Sequence, residues 1–165
     1  MSIKLPFDLS KPLTGEASID LDKPVDQVFA FVGERFFENY PKWALEVAEF
    51  EPLDGPEVFI GAKAKQSRNE NNKTVMSIFE VVDYDPVYRL SIQGVNAPYR
   101  QYYQLSPSEH QANNTCLTFR FELTEIEVFM RPFEKLIRYA IEEGAENTVN
   151  NIKNLICSET RTAIA

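Results

Sequence analysis

Histidine is almost absent from this chain of 165 residues, in which His110 is the only one. It lies in a polar stretch rich in Ser, Glu, Gln and Asn, where we expect a solvated loop. A single loop histidine supplies neither the base of a Ser-His or Cys-His triad nor the ligands of most histidine-based metal sites. The sequence therefore predicts no metal centre and no histidine-activated nucleophile.

Cysteine, glycine and long apolar runs are also scarce. The two cysteines, Cys116 and Cys157, lack metal-ligand spacing, and we expect reduced, buried thiols. The six glycines form no Gly-rich phosphate loop, so a nucleotide cofactor has no support and we predict no cofactor. No run approaches the roughly 18 apolar residues of a membrane span, and the N-terminus lacks the apolar centre of a signal peptide. These absences predict a cytoplasmic protein.

Acidic residues outnumber basic ones: the chain has 25 Asp and Glu, 17 Lys and Arg, and a net charge of −8. Nucleic acids and anionic membranes are bound through clusters of Lys and Arg. The charge balance therefore argues against both as partners, while association into a homo-oligomer stays open.

The clearest pattern in the chain is an amphipathic helix predicted over residues 132–157. Its apolar residues recur at steps of three and four, which places them on one side of a helix. They are Phe133, Leu136, Ile137, Ala140, Ile141, Ala145, Val149, Ile152, Leu155 and Ile156. Because so long an apolar stripe needs a partner, we expect the rest of the chain to cover it. Gly144 falls on this stripe, where the helix should cross either a bulky aromatic side chain or a ligand.

The preceding residues predict one strand, two short helices and six further strands. The first strand covers 16–22, a helix over 24–32 is broken at Gly33, and a second helix over 35–40 ends before Pro41. The six later strands are predicted at 44–52, 62–70, 74–83, 87–95, 99–106 and 115–125. Since no helical segment interrupts them, they should pair in sequence as an antiparallel meander. We expect an N-terminal arm at 1–15, one α+β domain at 16–158 and a C-terminal tail at 159–165.

This order resembles the helix-grip fold of the START-like, or SRPBCC, superfamily, which includes the polyketide cyclase/dehydrase-like proteins. The resemblance is carried by short segments spread along the chain, at 24–29, 40–43, 53–55, Gly61, 81–86, Gly144 and 151–155. It implies a curved, antiparallel seven-stranded sheet wrapped around the long C-terminal helix. It also implies a cavity between sheet and helix that takes a hydrophobic small molecule, such as a lipid, sterol, quinone or polyketide. None of these segments is a catalytic signature.

Strand alternation predicts which side chains face this cavity. On the third strand Lys63 and Lys65 should face water, which turns the alternate residues toward the helix: Ala62, Ala64, Gln66 and Arg68. The two alanines would leave volume unfilled, and Gln66 and Arg68 would offer hydrogen bonds to the polar end of a ligand. Alternatively, Arg68 extends past the strand end into solvent.

On the strand at 99–106 the inward set is Tyr99, Gln101 and Tyr103. Their phenols could orient a carbonyl or act as a general acid, or simply pack across strands. Glu46 would be a desolvated general base if it faced inward, but a slip of one residue would turn it outward. The predicted ligand-binding residues are Gln66, Arg68, Phe79, Tyr99, Gln101, Tyr103, Phe119, Ile141 and Gly144. No catalytic residue is assigned.

The expected function is the binding or carriage of a hydrophobic small molecule without a cofactor. One alternative is a cyclase- or dehydratase-like enzyme that uses Tyr and carboxylate acid/base chemistry in the same cavity. A further alternative is a protein-interaction module whose cavity is filled by its own side chains.

Overall fold

The computed structural model describes residues 12–164, with side chains as far as Glu159. Seven strands form one antiparallel sheet: β1 (Leu13–Leu21), β2 (Val47–Pro52), β3 (Lys63–Glu70), β4 (Lys73–Asp85), β5 (Arg89–Gly94), β6 (Tyr99–Pro107) and β7 (Thr115–Leu123). Their order across the sheet is β1-β7-β6-β5-β4-β3-β2. The six later strands thus form the predicted meander, and β1 closes the far edge beside β7.

Helices follow the first and the last of these strands. Helix α1 (Val25–Phe29), a π-helical turn (Ala30–Glu34) and helix α2 (Phe36–Trp43) follow β1. A 3-10 helix (Val128–Phe133) and the long helix α3 (Glu134–Ile164) follow β7. The curved antiparallel sheet around one long C-terminal helix is the predicted helix-grip α+β fold. No helix within residues 12–164 has the length and apolarity of a membrane span.

Two turns show why the strands reverse where they do. Asn71 and Asn72 join β3 to β4 with φ of 49° and 64°, the left-handed backbone of a two-residue hairpin. Gly55 and Gly61, with φ of 89° and 97°, bound the longer connection between β2 and β3. Both features were expected from the Asn-Asn pair and the isolated glycines.

The N-terminal strand begins earlier than predicted, at Leu13 rather than Glu16. Leu13 pairs with Leu123 of β7 and is buried, so burial at the sheet edge extends the strand past Gly15. The rest of the predicted arm, residues 1–11, lies outside the described residues. The backbone of α3 stays helical to Ile164, into the segment predicted as a C-terminal tail.

The two short helices also differ from the prediction. Gly33 does not break the first helix; instead the chain widens into the π-helical turn, and the Phe29 ring occupies the space where a Gly33 side chain would lie. Pro41 lies inside α2 rather than after it. Tyr40 and Trp43, on either side of it, are both 2% exposed. Burial of these two rings outweighs the one backbone hydrogen bond that proline cannot donate.

Neither cysteine is buried, so that expectation is wrong. Cys116 on β7 is partly exposed, and Cys157 on α3 is exposed; both are free thiols. Cys116 lies between Thr115 and Leu117, which are buried, so alternation along the strand turns it to the other face of the sheet.

The apolar stripe of α3 is buried only along its second half. Ala145, Val149, Ile152 and Ile156 lie in the core. In the first half, however, Leu136 is 67% exposed and Phe133, in the preceding turn, is 51% exposed. The prediction of a stripe buried along its whole length is therefore wrong. Neither Leu136 nor Phe133 lines the cavity, so both face solvent instead of the sheet.

Two glycines near this helix have opposite environments. A Cβ on Gly15 would lie 2.6 Å from Ile141 Cγ2 and 2.7 Å from the backbone nitrogen of Glu142, closer than atoms can approach. A Cβ on Gly144 would meet no atom within 4 Å. Strand β1 therefore needs glycine to let α3 approach, whereas Gly144 faces empty space.

We predict that Gly15→Ala destabilises the fold by about 1–3 kcal/mol, because the helix backbone must move to admit the methyl group. The matched control Gly144→Ala should stabilise by up to about 1 kcal/mol, since alanine is the better helix former and clashes with nothing. Urea unfolding of both variants measures the difference. Equal stability of the two variants would contradict the close approach at Gly15.

Candidate functional site

A cavity of about 640 Å³ lies between the concave face of the sheet and α3. This volume is within the range of small-molecule sites. Its wall is built from four parts of the chain. They are the end of α2 with the turn after it (Tyr40, Trp43, Ala44, Leu45, Glu46 and Val47), β3 (Gln66 and Arg68), strands β6 and β7 (Tyr99, Gln101, Tyr103, Phe119 and Phe121), and α3 (Ile137, Ala140, Ile141, Gly144, Asn147, Thr148 and Asn151).

Two small residues leave part of the helical wall open. Ala140 and Gly144 lie one turn apart, and nothing would fill the space beside Gly144. Phe119 and Phe121 of β7 provide an apolar surface, and the Phe121 ring stacks on Tyr99 at 5.8 Å between centroids. The side of the cavity formed by β7 therefore provides an apolar surface for a ligand.

A first group of hydrogen bonds centres on Gln66, which is buried on β3. The Tyr40 hydroxyl donates to Gln66 Oε1 at 3.0 Å. Gln66 Nε2 in turn donates to the Tyr99 hydroxyl at 3.3 Å and to Ser77 Oγ at 3.4 Å. The amide is thus held in one orientation, and the Tyr99 hydroxyl acts here as an acceptor.

A second group centres on Tyr103. Trp43 Nε1 donates to the Tyr103 hydroxyl at 3.2 Å, and that hydroxyl donates to Gln101 Oε1 at 3.0 Å. From α3, Asn151 Nδ2 donates to the Trp43 carbonyl at 3.2 Å, which ties the helix to the end of α2. The Tyr103 hydroxyl both accepts and donates within the protein, so it is less available to a ligand than that of Tyr99.

Burial keeps the phenols of the cavity protonated. It raises the pKa of Tyr99 to about 12, although the nearby Arg68 charge and a hydrogen bond with Ser77 oppose the shift. Burial likewise raises the pKa of Tyr40 and of Tyr103 well above the ordinary range. At neutral pH these side chains can donate hydrogen bonds but cannot act as phenolate bases.

Only two charged side chains belong to the described cavity wall, Arg68 and Glu46. Arg68 is partly exposed, and its Nε lies 3.2 Å from Glu70 Oε1. Glu46 lies in the turn before β2 and is exposed. The charge of Glu46 adds to the upward shift of the pKa of Tyr99 and of Tyr103.

The family model of polyketide cyclase/dehydrase and lipid transport proteins matches residues 12–156. The chain belongs to this family. No curated protein matches its sequence.

Solved structures show the same fold at low sequence identity. A protein of Thermus thermophilus is 14% identical with a TM-score of 0.70, over 88% of this chain and 98% of that one. A polyketide-cyclase-like protein of Corynebacterium glutamicum is 21% identical with a TM-score of 0.61, over 90% and 94%. The XoxI protein of Bacillus cereus is 12% identical with a TM-score of 0.63, over 86% and 94%. At these identities the likeness concerns the fold alone.

Within this family fold, eight of the nine residues predicted to bind ligand lie together in the cavity wall: Gln66, Arg68, Tyr99, Gln101, Tyr103, Phe119, Ile141 and Gly144. The ninth, Phe79, faces the same side of the sheet but is fully buried. The rings of Phe36 and Tyr40 pack against it at 6.1 and 5.5 Å. Placing Phe79 in the cavity is therefore wrong, because α2 covers this part of β4.

The expectation that Ala62 and Ala64 border the cavity is also wrong. Both alanines are fully buried in the core, and neither belongs to the cavity wall. Ala64 is paired with Phe79, whose ring α2 covers. The volume that these alanines leave is used by the aromatic residues of α2, and the open space lies further along the sheet. Glu46 lies in a turn and is exposed, because β2 begins only at Val47, but it still borders the cavity.

Sequence reasoning missed the part of the wall that α2 and the second half of the α3 face provide. Tyr40, Trp43 and Phe121 were not assigned to the cavity, nor were Asn147, Thr148 and Asn151. The α3 residues follow Gly144 by three, four and seven positions, so helical periodicity would have placed them on the same face. No sequence signal indicates that α2 would contribute its last turn.

We predict that the buried phenols ionise at a higher pH in the folded protein than in the unfolded chain. The unfolded chain releases these protons near pH 10, while the folded protein retains the Tyr99 proton to about pH 12. Stability should therefore fall as the pH rises from about 10 toward 12. Phenolate absorbance, followed during alkaline titration with and without urea, measures this. Tyr99→Phe should remove one late-ionising group, and ionisation of all seven tyrosines near pH 10 in the folded protein would contradict the burial.

Proposed function

We propose that the protein binds a hydrophobic small molecule between the sheet and α3 and carries it in this bound state. The observation that supports this most directly is the open volume beside Gly144, which the chain's own side chains leave unfilled. Folded proteins pack their interiors densely, so a space of this size next to a well-packed core is best explained as a ligand site. The family to which the chain belongs is described by polyketide cyclase/dehydrase activity and lipid transport, both of which require such a ligand.

The arrangement of the wall indicates how a ligand would lie. Phe119, Phe121 and Ile141 would contact its apolar body, and Gln66 and Tyr99, on β3 and β6, would lie near its polar end. The polar groups are already bonded to each other, so an apolar ligand can enter without leaving them unpaired. A lipid, quinone, sterol or polyketide-like compound meets these requirements.

The test uses the neutral dye N-phenyl-1-naphthylamine, whose fluorescence increases in apolar surroundings. Wild-type protein should bind it, and Gly144→Phe should weaken binding at least tenfold by filling the cavity. Stability should change little, because the ring enters space that is empty. Gly144→Ala is the matched control and should keep most of the affinity. Equal binding by wild type and Gly144→Phe, or no binding by wild type, would refute the proposal.

A cyclase- or dehydratase-like reaction in the same cavity is the second candidate. It is favoured by the neutral Tyr99 hydroxyl, which could donate a hydrogen bond to a bound carbonyl. Acid/base chemistry also needs a base, and the one carboxylate in the described wall, Glu46, is exposed. Binding without turnover is therefore the better-supported function. An interaction module filled by its own side chains is the least supported, because the cavity is open.

Tyr99→Phe separates these two candidates. In a carrier it should weaken binding of a ketone-bearing naphthalene about fivefold, the effect of about 1 kcal/mol for one hydrogen bond. In an enzyme that uses this phenol as an acid, turnover of a poly-β-ketone substrate should fall on the order of a hundredfold with binding nearly intact. Tyr103→Phe is the control, since its hydroxyl is engaged by Trp43 and Gln101.

A further inference from the structure

Arg68 is the single cationic side chain in the described wall of the cavity. It lies on β3 two residues beyond Gln66, so both side chains project from the same face of the sheet. Gln66 is buried, whereas the Arg68 side chain is 34% exposed. Arg68 therefore lies between the buried polar group of the cavity and solvent.

The guanidinium has an unsatisfied donor. Its Nε has no solvent contact and no hydrogen-bond partner, since the ion pair with Glu70 at 3.2 Å lacks hydrogen-bond geometry. Glu70 is itself half exposed, so water weakens its hold on Arg68. A buried guanidinium N–H without an acceptor is costly, and an acceptor supplied by a ligand would relieve that cost.

A second donor lies in the same part of the wall, because the Tyr99 hydroxyl is 3.3 Å from Nε2 of Gln66, two residues before Arg68 on β3. The charge of Arg68 acts on Tyr99 strongly enough to oppose the effect of burial on its pKa, and it acts on Tyr40 in the same direction. Tyr99 is protonated at neutral pH. Arg68 and Tyr99, on β3 and β6, thus present an N–H and an O–H to the same cavity.

Two carboxylates oppose an anion in this place, Glu70 on β3 and Glu46 in the turn before β2. Glu46 forms no ion pair with Arg68 among the described residues, and it is exposed. Its charge still reaches the cavity, where it raises the pKa of Tyr99, but the opposing effect of the Arg68 charge on that pKa is larger. At the Tyr99 hydroxyl the positive charge of Arg68 therefore outweighs the negative charge of Glu46, which favours a negatively charged acceptor at this point of the wall.

We infer that the ligand of this cavity is a hydrophobic carboxylic acid whose carboxylate accepts hydrogen bonds from Arg68 and Tyr99. Its apolar body lies against Phe119, Phe121 and Ile141. This inference rests on the proposed function and adds the class of ligand to it. Arg68 is then the residue that selects acids over neutral compounds of the same shape.

The test compares 2-naphthoic acid with 2-naphthamide, which has nearly the same shape and no charge. Isothermal titration calorimetry at neutral pH should show that wild-type protein prefers the acid by at least tenfold. Arg68→Gln should abolish the preference by weakening the acid alone. The matched control Glu70→Gln removes the neighbouring charge and should keep or increase the preference. Melting curves verify that both variants are folded.

The outcomes separate this inference from the proposed function. If wild type binds the naphthylamine dye and the amide as tightly as the acid, the cavity binds hydrophobic ligands but Arg68 does not select acids. If an acid preference survives in Arg68→Gln, another group provides it and the inference is wrong. If neither naphthalene compound nor the dye binds, the proposed function fails and the inference with it. The wild-type comparison decides the matter even if Arg68→Gln does not fold.

Discussion

The close approach of α3 to strand β1 is the constraint on which the cavity depends. Gly15 has no side chain to hold Ile141 and the helix backbone away, so the helix rests on β1 and β7 at one edge of the sheet. Strands β3 and β6, further across the sheet, then face α3 over open space. A helix centred over the sheet would bury its apolar stripe evenly and leave no room for a ligand.

The aromatic residues of α2 divide the concave side of the sheet into a core and a cavity. Phe36 and Tyr40 cover Phe79 on the core side, and Trp43 borders the open side. Tyr40 contributes to both the core and the cavity, because its ring packs in the core while its hydroxyl donates a hydrogen bond to Gln66. The same packing that stabilises the fold therefore also orients the polar end of the cavity and keeps its phenols protonated.

Much of the fold could be predicted from sequence, because alternation on the strands and periodicity on α3 are local patterns. They identified Gln66, Tyr99 and Gly144 as facing the cavity. They could not separate these residues from Phe79, since alternation assigns a face of the sheet but not what covers it. The exposed Leu136 and the tight contact at Gly15 were missed for a related reason. Both depend on where α3 lies relative to distant strands.

The central claim is that the ligand occupies the space between α3 and the sheet rather than the exposed apolar surface beside it. Intermolecular nuclear Overhauser effects between bound N-phenyl-1-naphthylamine and methyl-labelled protein test this directly. The account predicts contacts with Ile137 and Ile141, which line the cavity. Contacts confined to Leu136 and Val128, which are exposed on the outer surface, would contradict it.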